Sequence, residues 1–308
     1  MTSAIGADAT LRRVTAAVEP VDPELQRRLL DWYQARARTL PWRRTRDPYR
    51  ILVSEVMLQQ TQAARVAPAY TAFLDAFPTV TGLAAAAPGE VVRRWRGLGY
   101  NRRAIALQRA ARVIVDEHGG RVPDDLAALR ALPGVGDYTA RAVLAFAFGR
   151  DVAPVDTNVA RVLSRAVVGA PLSRREAQQV ADRVLPPGRA AAWTSALMDL
   201  GATVCTARRI DCPRCPLAAR CAWRRRGDTA DPAAIGALRP RPQAPFADSD
   251  RAYRGRLVDA LRRGRLRREE LAAAAGLEDR SRLEAVVASL VRDGLAVWDD
   301  HEAVLRLP

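Results

Sequence analysis

Between Asp22 and Asp228 apolar residues recur at helical spacing, punctuated at Pro48, Pro78, Pro88, Pro123, Pro133, Pro154, Pro171 and Pro186. No alternating run of strand type interrupts this stretch, which predicts an all-α region over 22–228 behind a flexible leader of residues 1–21. Residues 229–250, with Pro232, Pro240, Pro242 and Pro245, read as a proline-rich linker. The pattern then changes. Over 251–308, Leu257, Leu261 and Leu271 predict two short helices, and Leu283, Val286, Val287 and Leu290 predict a third. Gly294 ends that helix, and 295–307 reads as a two-stranded hairpin around Asp299-Asp300.

Chemistry concentrates in residues 132–161. Leu132-Pro133-Gly134-Val135-Gly136 places two glycines two apart, free to take backbone angles closed to other residues. Helical periodicity follows at Ala142, Val143, Leu144 and Phe146, so the turn over 132–138 lies at a helix N-terminus. Bare N–H groups and the helix dipole make such a place an anion site, although glycine turns before helices are also ordinary loop chemistry. Tyr138 stands in the first turn of that helix. Eighteen residues later comes Asp156, within Pro154-Val155-Asp156-Thr157-Asn158 and just ahead of a second apolar helix (Val159, Val162, Leu163). The dipole there favours an ionised aspartate, and Asn158 is spaced to hydrogen-bond it. A cap with no further task is the alternative.

Asp47-Pro48 predicts another helix start, with the capping residue followed by proline at the first helical position. Glu55 is a lone acid in the apolar run that follows. Burial would raise its pKa toward neutrality and let it carry a proton; an orientation toward solvent or an arginine is the other reading. Gln59, Gln60 and Thr61 come next. They either cap the helix or enter DNA to read base edges and fill the gap left by an extruded base. In Gly97-Leu98-Gly99-Tyr100-Asn101, flanked by arginines, Tyr100 either stacks on a base or plugs a helix corner.

The net charge of +15 points to a polyanionic partner, although a genome that favours arginine is another source of the same charge. All 49 basic residues are arginine, so no lysine exists to form a Schiff base. Two histidines are too few for a histidine metal cluster. No run of about 18 apolar residues or signal-peptide core is present, so a soluble cytoplasmic protein without a membrane partner is expected. Four cysteines within 17 residues, Cys205-x6-Cys212-x2-Cys215-x5-Cys221, then argue for metal rather than disulfides. Four thiolates suit a [4Fe–4S] cluster or structural zinc. Arg208, Arg209, Arg220, Arg224, Arg225 and Arg226 make the loop over 205–221 and its surroundings basic.

A phosphate-gripping hairpin tied to a helix-capping aspartate resembles the helix-hairpin-helix DNA glycosylases, the superfamily of endonuclease III. Ser54-Glu55-Val56-Met57-Leu58-Gln59-Gln60-Thr61 resembles the signature run of its adenine-specific, MutY-type branch, and the cysteine spacing resembles the superfamily's [4Fe–4S] loop. The resemblance covers about residues 22–228. It implies a six-helix barrel domain and an Fe–S domain with a DNA cleft between them, acting as a monomer on mismatched double-stranded DNA near the nucleoid.

By the same resemblance Glu55 is the general acid, and Asp156 stabilises the sugar cation with Asn158 as its support. Tyr138 occupies the place of the lyases' lysine, which implies a monofunctional enzyme. Gln59, Gln60, Thr61, Tyr100, Gly134 and Gly136 contact DNA, and Cys205, Cys212, Cys215 and Cys221 hold the cluster. The substrate implied is adenine opposite guanine or 8-oxoguanine. The chain reads Asp-Thr-Asn where many adenine glycosylases read Asp-Gly-Asn, and Asn101 stands where the family often has a second tyrosine. A thymine/uracil mismatch glycosylase, or a non-catalytic Fe–S DNA-binding protein, are the alternatives. The C-terminal segment resembles a winged helix rather than the branch's 8-oxoguanine-reading module, with DNA or a protein partner as its expected contact.

Overall fold

Aspartate followed by proline opens two helices of the computed structural model, which describes residues 22–227, 229–235, 245–299, 301 and 303–308. Asp22 accepts from the Glu24 N–H at 3.0 Å, and Asp47 from the Arg50 N–H at 3.0 Å, with Pro23 and Pro48 at the first helical positions. The leader over 1–21 and linker residues 236–244 lie outside the described residues. The helices up to Ile235 are α1 (Pro23–Arg36), α2 (Pro48–Leu58), α3 (Ala63–Ala76), α4 (Val80–Ala85), α5 (Pro88–Arg94), α6 (Arg102–His118), α7 (Leu126–Ala131), α8 (Asp137–Phe146), α9 (Thr157–Val162), α10 (Arg174–Val184), α11 (Ala190–Thr203), α12 (Ala222–Arg226) and, within the stretch expected to be linker, the short α13 (Pro232–Ile235). They sort into two units, each discontinuous in sequence: residues 1–39 with 137–241, and residues 40–136 with 242–308.

The first unit packs α1 and α9–α11 around Leu29, Val162, Leu163, Val180, Trp193 and Leu200, all at most 2% exposed. Burial of each such aliphatic side chain contributes about 1.5–3 kcal/mol. α9 runs on through a wider turn over Leu163–Val168 and stops at Gly169 in the left-handed conformation (φ 68°). A Cβ at Gly169 would lie 3.0 Å from the Ala222 carbonyl carbon, so the same glycine seats α12, which follows the last cysteine.

The second unit is built on α2, whose residues Tyr49 and Ile51 to Met57 are all buried. Phe73 of α3 meets Trp95 edge-on at 5.7 Å, closing the core below the turn that leads into α6. Residues 250–308 belong to this unit: α14 (Asp250–Arg263), β1 (Leu266–Arg267), α15 (Leu271–Ala275), α16 (Arg280–Arg292), β2 (Val297–Asp299) and β3 (Val304–Arg306). The two-stranded hairpin expected over 295–307 is present as β2 and β3, and β1 adds a third strand, giving an antiparallel sheet in the order β1-β3-β2 with Leu266 opposite Leu305 and Trp298 opposite Leu305 on the other side. At two residues, β1 is too short to leave a period in the sequence. Leu257, Val258, Leu261 and Leu290 join Val92 and Ile105 in one apolar cluster, so this module shares its core with α5 and α6.

Candidate functional site

In the second unit α2 carries Glu55 into its apolar interior, where the residue is 3% exposed. The solvent-facing alternative is thereby removed. α2 ends at Leu58, and the chain then turns through Gln59, Gln60 and Thr61 with Gln60 in the left-handed region (φ 59°). A second turn brings Tyr100 into the same region (φ 44°) after Gly97 and Gly99. A non-glycine residue held there costs about 1–3 kcal/mol, so both turns store strain that other bonds must offset.

One guanidinium supplies several of those bonds. Arg103, 7% exposed on α6, donates through Nη1 to the carbonyls of Val56 (2.9 Å), Met57 (2.8 Å) and Gln59. Its Nη2 donates to Thr61 Oγ1 (3.0 Å) and to the carbonyls of Leu98 and Gly99 (both 3.1 Å). The cation thus satisfies the bare carbonyl end of α2 and fastens the 59–61 turn to the 97–100 turn. Burial pushes its pKa down to about 10, opposed by nearby Tyr100, which leaves it charged at neutral pH. Sequence reasoning missed Arg103. Its neighbours Arg96 and Arg102 look the same on paper, and only the tertiary fold shows which one is buried.

The glycine turn needs one correction. Gly134 takes a left-handed φ of 78°, a Cβ there would stand 2.8 Å from the Ala106 Cβ, and its carbonyl accepts from Gln59 Nε2 at 3.2 Å. Gly136 has no positive φ, and a Cβ would meet nothing within 4 Å. Only Gly134 therefore requires glycine on backbone grounds.

In the first unit Tyr138 lies half-buried in the opening turn of α8. Asp156 caps α9: Oδ1 accepts from the Val159 N–H at 2.7 Å and Oδ2 from Asn158 Nδ2 at 2.8 Å. The Asn158 amide is itself fixed, because its Oδ1 accepts from Arg161 Nη2 at 2.7 Å. Gly201 on α11 makes room for it; a Cβ there would come within 2.7 Å of the Asn158 Cβ. Arg161 also donates to the Gly201 carbonyl at 2.6 Å and to the Cys205 carbonyl at 2.9 Å, so the capped aspartate is braced against the start of the cysteine loop. Gly201 carries no local signal, and Arg161's bonds to Gly201 and Cys205, 40 and 44 residues away, leave none either.

Cys205, Cys212, Cys215 and Cys221 line one cavity of about 370 Å3, open mouth included, together with Val162, Arg165 and Trp223. Among the described residues, no three His, Cys, Asp or Glu side chains group as ligands of a single metal ion. Four thiols lining one space are a donor set that fits either a [4Fe–4S] cluster or a tetrahedral zinc. Burial pushes the Cys215 thiol up to about 12 and raises that of Cys221, with the neighbouring cysteines adding to both shifts. A bound metal that displaces their protons would relieve that cost. Arg165, ion-paired with Asp231, donates to Cys205 Sγ at 3.3 Å and so lays positive charge beside the thiol set. The arginines around the loop are exposed, although Arg220 pairs with Asp22 at 2.9 Å and Arg226 donates to the Gly169 carbonyl at 3.1 Å. No helix of the described residues is long and apolar enough to cross a membrane.

Residues 53–187 match the HhH-GPD superfamily of base excision DNA repair proteins. The adenine DNA glycosylase of Mycolicibacterium smegmatis is 45% identical over 273 residues, covering 87% of this chain and 90% of the relative. A thermostable thymine-DNA glycosylase structure matches with a TM-score of 0.60 at 30% identity over 71% of this chain and 99% of its own. A trapped endonuclease III–DNA covalent intermediate matches with a TM-score of 0.58 at 26% identity over 66% of this chain and 95% of its own. The chain belongs to the adenine DNA glycosylases, a branch of the HhH-GPD superfamily of base excision DNA repair proteins.

Proposed function

We propose that the protein removes adenine mispaired with guanine or 8-oxoguanine from double-stranded DNA by hydrolysing its N-glycosidic bond. The observation that carries this reading is the 45% identity to an adenine DNA glycosylase across nine-tenths of that enzyme. Glu55 gives its proton to the adenine ring, which turns the base into a neutral leaving group as the C1′–N9 bond breaks. The sugar left behind is an oxocarbenium-like cation, and the Asp156 carboxylate stabilises it by charge. Water adds at C1′ and loses a proton, which completes hydrolysis. Asn158 holds the aspartate, and Tyr138 stands where a lysine would make a lyase. With no lysine in the sequence, strand cleavage through a lysine Schiff base is not part of the reaction. Gln59, Gln60, Thr61 and Tyr100 read the mispair, and the Gly134–Gly136 turn grips the backbone phosphates.

Single-turnover base release over duplexes containing A:8-oxoG, A:G, T:G or U:G tests the substrate. Adenine is expected from the first two alone. Release of thymine or uracil with adenine left in place would transfer the protein to the thymine/uracil reading.

The four cysteines hold a [4Fe–4S] cluster in this reading. Bound, the cluster cross-links the 205–221 loop and plays no redox part in base removal. Their common cavity supports this assignment. Anaerobically purified protein is expected to be yellow-brown, with a broad visible band and about four irons per chain. Colourless protein holding one zinc would return the cysteines to the structural-zinc alternative.

A further inference from the structure

Residues 250–308 have no part in the reaction above, and their charge argues against a second grip on DNA. Twelve arginines there face eleven acidic residues, so nearly all of the chain's +15 lies elsewhere. Several of the twelve are already paired within the module: Arg254 with Asp293, Arg280 with Glu284 and Arg282 with Asp250. A near-neutral surface gains little from counterion release, which drives non-specific binding to duplex DNA.

The module instead directs its polar contacts inward, at the turn that presents Tyr100. Arg251 Nη1 donates to the Tyr100 hydroxyl at 3.3 Å. Arg262, whose side chain is 9% exposed, donates from Nη2 to Asn101 Oδ1 at 2.9 Å and from Nε and Nη2 to the Val92 carbonyl at 3.1 and 3.0 Å. Asn101 stands at the N-cap of α6, where an asparagine side chain ordinarily bonds to the helix's own free N–H groups. Here it makes no such bond, and its oxygen is given to Arg262. The docking is close throughout. The Pro308 carbonyl accepts from the Gly89 N–H at 2.8 Å, and a Cβ at Gly89 would lie 2.5 Å from that oxygen.

We infer that the C-terminal module is an internal brace for the 97–101 turn, with Arg262 as the positioning residue that holds Asn101, and through it Tyr100, in the geometry that tells mispaired from paired DNA. Tyr100 sits 38% exposed in a left-handed conformation that its own sequence does not favour. Fixing its neighbour from behind denies the backbone its relaxed alternatives, while the Arg103 guanidinium lies 5.7 Å from the centroid of the Tyr100 ring and Arg251 holds its hydroxyl. The inference rests on the reading of this turn as a DNA contact.

The test compares dissociation constants of the full chain for an A:8-oxoG duplex and a fully paired duplex. The mispaired adenosine carries 2′-fluorine, which destabilises the sugar cation and blocks excision. Arg262→Ala lowers the mispair preference about tenfold, the scale of one lost charge-assisted hydrogen bond. Asn101→Ala, which removes only the acceptor, does the same and decides the matter alone if the arginine variant fails to fold by thermal melting. In a Tyr100→Ala background neither substitution changes the ratio further, because the brace has nothing left to position. An unchanged ratio in folded Arg262→Ala and Asn101→Ala, or equal losses with and without Tyr100, overturns the brace. If Tyr100→Ala by itself leaves the ratio intact, the DNA reading of the turn fails and takes the brace with it; if Tyr100→Ala lowers the ratio while folded Arg262→Ala and Asn101→Ala leave it unchanged, only the brace is overturned.

Discussion

Glu55→Gln releases adenine about a hundredfold to ten-thousandfold more slowly than the unaltered protein in single-turnover assays, the usual worth of a positioned general acid. Glutamine matches glutamate in size and fills the same space on α2, but it has no ionisable proton to transfer. Because Glu55 is 3% exposed among the buried residues of that helix, the site already accommodates a side chain of this volume. Melting temperature and affinity for the mispaired duplex are therefore expected to hold while the chemical step collapses. The measurement is the rate of base release at saturating enzyme beside the dissociation constant on the 2′-fluoro duplex. A rate within a few fold of the unaltered protein would remove Glu55 from the mechanism. A rate loss matched by lost binding or melting would make it a packing residue.

Parts of this site were legible from the chain because their causes are local. Asp47-Pro48 opens α2, Asp156 caps α9 and Gly134 turns left-handed within a few residues of the motifs that announce them. Glu55 was visible as an acid among apolar neighbours, although only the fold decides between interior and solvent. Arg103, Arg161 and Arg262 stayed hidden. Each is one arginine among 49, distinguished by carbonyls and amides that tertiary packing brings from up to 170 residues away. Gly201 is equally silent, since what it avoids is the side chain of Asn158, 43 positions earlier. Gly136 shows the opposite failure: a glycine that looked conformationally necessary has an ordinary φ and open space beside it. Periodicity thus reports the elements and their caps. The side chains that bind turn to turn are set by long-range contacts that leave no period.

Asp156→Asn is expected to lower the rate of base release about a hundredfold to a thousandfold, the cost of removing one preorganised electrostatic contact to a charged transition state. Asparagine is as good an N-cap as aspartate, so the bond from the Val159 N–H survives and α9 keeps its start. The second bond does not survive so easily. Asn158 presents its NH2 group to position 156, and it cannot turn over, because its oxygen is held by Arg161. The substituted amide must either share its one oxygen between two donors or face NH2 against NH2, which costs about 1 kcal/mol of stability, as for one ordinary hydrogen bond. A melting shift of a few degrees should therefore accompany a far larger kinetic loss. Asn158→Ala makes the contrast: it keeps the charge, removes its clamp, and is expected to slow release by much less than Asp156→Asn while costing similar stability. If the two variants lose rate equally, the carboxylate matters for its orientation and not its charge, and the oxocarbenium-stabilising role assigned to it falls.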